Sequence, residues 1–138
     1  LGSLLDNTEQ AGRLRKAVID LDVPTFSPKL SSRVLKASVD VMAQLNNQQK
    51  KAIFRTLAAE HYILIKGMPG TGKTATVVAL VQLAVRLGLS VLITSHTHSA
   101  VDNVLLKLRG LVDFLRLGAV HKLHPELTEY GETTQVFS

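Results

Sequence analysis

The order of apolar runs and turn residues predicts an α/β fold: a partial parallel sheet flanked by helices, behind an N-terminal helical connector. Two observations predict it. Short apolar, partly β-branched runs at 62–66, 90–94 and 114–117 alternate with helical patterns at 75–85 and 99–109, and such an order closes through right-handed crossovers. The first run also leads into a Gly-rich turn, Gly67-Met68-Pro69-Gly70-Thr71-Gly72-Lys73-Thr74, that opens a helix.

Each element has a local reason. Residues 1–22 are polar and mixed in charge, with a helical pattern around Glu9 to Leu21. Residues 23–28 carry two prolines and read as a connector. Ser31 caps a helix running to about residue 44, with Val34, Leu35, Val39, Val41, Met42 and Leu45 on one face. Asn46 or Asn47 starts another helix over 48–59, with Ala52, Ile53 and Leu57 inward. The helix after the Gly-rich turn stops at Gly88, and the next one stops at Gly110. Beyond Gly118 the chain is polar, contains histidines and is poorly periodic. The organisation expected is a connector over 1–44, a principal lobe over 45–125 and a polar tail over 126–138.

Composition narrows the function classes. Hydrophobic residues make up 46% of the 138, so a core can form, but aromatics are only 4%, so that core is mostly aliphatic. There is no cysteine, which excludes disulfides, thiolate catalysis and Cys-based metal sites. No apolar stretch is long enough to span a membrane as a helix. The chain opens Leu-Gly-Ser rather than with Met, which reads as a piece of something longer. Lys and Arg number 16 against 11 Asp and Glu, a net of +5, and a basic surplus suits polyanionic partners.

Residues 67–74 fill every fixed position of G-x-x-x-x-G-K-[ST]. That is the pattern of a loop that cradles the phosphates of a nucleoside triphosphate. Gly67, Gly70 and Gly72 let the backbone approach the phosphates, and successive amides form an anion nest. The helix that follows aims its positive end at the same place. Lys73 reaches the β- and γ-phosphates, and the Thr74 hydroxyl takes one site on Mg²⁺. The expected ATP contacts within the loop are Gly67, Met68, Pro69, Gly70, Thr71, Gly72, Lys73, Thr74 and Ala75, with Lys73 and Thr74 the catalytic pair. A chance match in a chain this long occurs roughly once in two hundred.

A second cluster, Thr94-Ser95-His96-Thr97-His98-Ser99-Ala100-Val101-Asp102-Asn103, lies at the end of the second predicted strand. Small hydroxyls, imidazoles and an amide at a helix start suit phosphate oxygens. The same composition also suits a helix cap by Ser95, Thr97 or Ser99. The spacing of His96 and His98 gives poor support for a metal. Downstream of the loop the carboxylates are Asp102, Asp113, Glu126, Glu129 and Glu132, with no two adjacent and none after an apolar strand. No water-activating carboxylate is therefore apparent.

Taken together, the words of this sequence resemble those of superfamily 1B helicases. Leu45-Asn46-Asn47-Gln48-Gln49-Lys50-Lys51-Ala52 is similar to their glutamine motif, 67–74 to motif I, 94–103 to motif Ia, and Phe114-Leu115-Arg116-Leu117-Gly118 to the R-x-G segment that follows. Within the superfamily the wording is most similar to the eukaryotic DNA replication helicase/nuclease branch, and more distant from the nonsense-mediated-decay branch. The resemblance implies a fragment of a first RecA-like lobe, ATP and Mg²⁺ as cofactors, and a nuclear location, with the mitochondrion as a second address. It implies that Gln49 recognises adenine, and that Thr94, Ser95, His98 and Ser99 lie along single-stranded DNA, or RNA. The family's Asp-Glu motif, arginine finger, second motor lobe and nuclease domain do not occur in this sequence. The expectation is thus an ATP-dependent helicase as the intact protein, with a segment that binds nucleotide without turning it over. A phosphate-loop kinase for small molecules and a non-catalytic nucleic-acid-binding module are the alternatives.

Overall fold

A computed structural model describes residues 9–132. The ends of the expected connector (1–8) and tail (133–138) lie outside the described residues. Among the described residues five α-helices run in chain order: α1 Glu9–Val18, α2 Ser32–Ser38, α3 Asn47–Ala58, α4 Lys73–Arg86 and α5 His98–Leu108. Short 3-10 helices follow at Val120–Lys122 and Pro125–Tyr130.

The helix starts are set by side-chain caps. Ser31 accepts from the Val34 amide ahead of α2, and Thr97 accepts from the Ala100 amide ahead of α5. Asn46 and Gln49 form a reciprocal capping box at α3, each side chain accepting from the other's backbone amide at 2.9 Å. α2 is shorter than the sequence predicts, ending at Ser38, after which the chain turns through 39–44. The Ser38 hydroxyl donates to the Leu35 carbonyl at 2.8 Å, a local bond that weakens the helix's hold on that turn.

α4 organises the molecule. Its Val78 and Val81 join Leu105 and Leu108 of α5 and Leu127 in one buried cluster. Its Ala79 and Leu83 join Met42 and Ile53 in a second. The apolar character of α4 on more than one side follows from serving both cores. Among the described residues Ile53, Leu83, Leu108 and Leu127 are the largest side chains sealed from solvent. Leu127 sits in the stretch whose sequence is polar and poorly periodic, so residues 125–130 are packed as well as polar.

The expected three-stranded sheet is not formed among the described residues. Residues 62–68 and 89–95 carry no ladder. Among the described residues the β pairings are isolated bridges, Phe26 with Ala59 and Arg116 with Gly131. Leu64 is 84% and Leu92 81% exposed, which is the opposite of a buried strand. An apolar β-branched run reports a preference for pleated, half-buried surroundings, whereas a ladder needs a second segment in register, and no such pairing forms among the described residues.

Candidate nucleotide and nucleic-acid site

The Gly-rich turn lies between residues 62–66 and α4. Gly70 and Gly72 have φ of 77° and 75°, the left-handed region that glycine occupies without steric cost. The Thr71 hydroxyl donates to the Met68 carbonyl at 2.7 Å and tightens the turn. α4 starts at Lys73 behind Gly72, with no side-chain cap. Its first amides therefore lack the partner that α2, α3 and α5 each supply from a side chain. Uncapped amides behind two left-handed glycines are the geometry of an anion cradle.

Lys73 arches back across the turn, its ammonium donating to the Gly67 carbonyl at 3.0 Å. A Cβ on Gly67 would lie 2.6 Å from Lys73 Cγ, so the lysine stem occupies the room that glycine leaves. Met68, Pro69, Thr71 and Ala75 are exposed and Thr74 is half-buried on the first turn of α4. The residues present fit a triphosphate: a cation, a hydroxyl and free amides meet at one helix start.

Gln49 is brought to the same place from α3. Its Nε2 donates to the Gly72 carbonyl at 3.2 Å while its Oε1 accepts from the Asn46 amide at 2.9 Å. Both ends of the amide are thus engaged by protein. The resemblance implies that Gln49 meets an adenine edge; in this structure its amide ties α3 to the turn.

The second cluster forms one wall of a groove of about 640 Å³ lined by Thr94, Ser95, His98 and Arg116 among others. Thr94, Ser95, His98 and Ser99 are all exposed. Thr97, not Ser95 or Ser99, caps α5. Behind them lies a pair that sequence reasoning did not assign to the site. Arg116 Nε donates to Asp102 Oδ1 at 2.7 Å, with both side chains 7% exposed. Arg116 Nη2 lies 3.2 Å from His98 Nδ1, and Asp102 Oδ2 accepts from the His124 amide at 3.2 Å. The signal was present: His98 and Asp102 are four apart, on one face of α5. No group of three or more metal-ligating side chains occurs among the described residues.

A family model for the AAA domain matches residues 44–137. The chain belongs to that family. It therefore shares the P-loop NTPase fold, although the sheet is not formed among the described residues. It is 47% identical over 137 residues to the DNA replication ATP-dependent helicase/nuclease DNA2 of Xenopus laevis, covering 96% of this chain and 13% of that protein. The Homo sapiens protein of the same name is 44% identical over the same shares. That of Saccharomyces cerevisiae is 42% identical over 118 residues, 85% of this chain and 8% of that protein. The chain thus spans a small part of the length of the curated relatives it matches.

Proposed function

We propose that this chain is the ATP-binding part of an ATP-dependent DNA helicase of the replication and repair helicase/nuclease type, which moves along single-stranded DNA. The observation that carries the reading is the uncapped start of α4 behind Gly70 and Gly72, with Lys73 arched over it. Its similarity to DNA replication ATP-dependent helicase/nuclease proteins supports it. Residues 45–125 act as part of a RecA-like lobe. Residues 1–44 connect it to its neighbours, and 126–138 close it as a tail. The segments at 62–66 and 90–94 supply strands to a parallel sheet completed by other parts of the intact protein.

The roles follow from the chemistry. Gly67 to Ala75 wrap the phosphates, and Lys73 neutralises the β- and γ-oxygens. Thr74 takes one ligand position on Mg²⁺, and Gln49 reads the adenine once released from Gly72. Bound ATP with Mg²⁺ supplies the hydrolysable phosphoryl group. Thr94, Ser95, His98 and Ser99 hold the strand backbone by hydrogen bonds that carry no sequence information. The nucleus, where replication takes place, is the corresponding location, and the remaining helicase and nuclease domains are the partners. No helix among the described residues is long and apolar enough to cross a membrane. This segment has no Asp-Glu pair to hold the attacking water, so alone it binds nucleotide and does not hydrolyse it.

The test is Lys73→Ala in the intact protein. It removes a charge-assisted contact, so nucleotide affinity falls by roughly tenfold to a hundredfold and DNA-stimulated ATP hydrolysis and unwinding are lost. Strand binding without nucleotide is retained. Unchanged hydrolysis in that variant overturns the reading.

A further inference from the structure

The geometry points to Arg116 as a positioning residue for strand binding: anchored by Asp102, it fixes the His98 imidazole so that Nε2 carries the proton and donates to a phosphodiester oxygen. The inference rests on the reading above that the start of α5 contacts a single strand.

Three facts carry it. First, Arg116 spends its guanidinium on the protein rather than offering it to a strand. Its side chain is 7% exposed, and all three guanidinium nitrogens are taken: Nε by Asp102, Nη1 by the Leu117 carbonyl and Nη2 by His98. Second, an arginine is always a donor. His98 Nδ1, at 3.2 Å from Nη2, therefore accepts, and a neutral imidazole accepting at Nδ1 holds its proton on Nε2. Third, His98 is exposed and is the first residue of α5, so that Nε2 donor joins the free amides of a helix N-terminus, where an anion is favoured.

The rest of the R-x-G segment fits the same purpose. Gly118 has φ of 137°, and a Cβ there would lie 3.5 Å from Arg116 Nη1 and 3.9 Å from His98 Cε1. Arginine and glycine of that segment thus bracket one imidazole. Lysine could not replace the arginine, because one ammonium cannot reach Asp102, Leu117 and His98 in the planar fork they require.

A double-mutant cycle in the intact protein tests the inference. Anisotropy of a labelled oligo(dT) reports strand binding, and a fluorescent ATP analogue reports nucleotide binding. His98→Ala and Arg116→Lys each weaken strand binding about tenfold, the worth of one charge-assisted hydrogen bond. The double variant loses no more than His98→Ala alone, and nucleotide affinity does not change. A long-range ¹H–¹⁵N NMR correlation with labelled histidine shows Nε2 protonated in the parent, and mixed tautomers in Arg116→Lys. If Arg116→Lys does not fold, Asp102→Asn takes its place in the cycle, with the same non-additivity expected. Additive losses of about a hundredfold, or an unchanged tautomer, overturn the positioning role. Full strand binding by His98→Ala instead overturns the assignment of α5 to the strand, and the positioning role with it.

Discussion

The Gly72 carbonyl collects three donors: Gln49 Nε2 at 3.2 Å, and the Thr76 amide and hydroxyl at 3.0 Å each. Its own φ is 75°, and a Cβ there would meet Gln49 Nε2 at 2.4 Å. Gly72→Ala therefore combines a left-handed penalty of about 1–2 kcal/mol with displacement of the glutamine. Expected outcomes are a lower unfolding midpoint and nucleotide affinity weaker by about tenfold. Adding Gln49→Ala relieves the contact and leaves the strain, so the double variant recovers only part. Isothermal titration with ATP and thermal unfolding check both. The loop was fully legible in the sequence, because fixed residues at fixed spacing encode it locally. Arg116 with Asp102 was not. A buried ion pair joining residues fourteen apart is a tertiary fact that no local pattern encodes.

Among the elements, α3, α4 and α5 start within two residues of where the sequence puts them, because caps and apolar period act over one or two turns. Strands were the opposite case. Tyr62 to Ile65 and Val91 to Ile93 have the right composition, but pairing depends on a neighbour that composition does not name. One tie between elements makes an acid-side prediction. Arg86 at the end of α4 donates to both oxygens of Asp40, at 2.7 and 2.8 Å, just beyond α2. This bond first, and its charge, hold the Asp40 carboxyl below the ordinary value of 3.8. A lowered folded value gives stability that is present above 3.8 and is lost as pH falls through the folded value. Asp40→Asn should flatten that part of the curve. Urea midpoints measured between about pH 5 and pH 2 check it, and the effect is small because both side chains face solvent.

At the scale of the whole molecule, one helix stands between two cores. Leu83 is sealed in the cluster with Met42 and Ile53, while Phe114 and Tyr130 stack at 4.5 Å against the other. Leu83→Ala should cost about 2–5 kcal/mol. The loss is expected to appear equally in the near-UV signal of Tyr130, on the far side of α4. A midpoint seen by Tyr130 that stays put, while helix content falls, would show the two clusters unfolding separately. The family could be read from the sequence alone. The distribution of the core could not, since Leu127 lies in a stretch with no periodic signal.

The ion pairs also divide by depth. Arg13–Glu9, Arg86–Asp40 and Arg109–Glu126 are open to solvent, whereas Asp102 and Arg116 are shut away from it. Dissolved ions screen the first three and have little access to the fourth. A concentrated brine would loosen these outer fastenings and leave the hinge-pin beneath α5 in place. On the proposed function, the start of α5 would come through a high-salt wash still shaped for a strand.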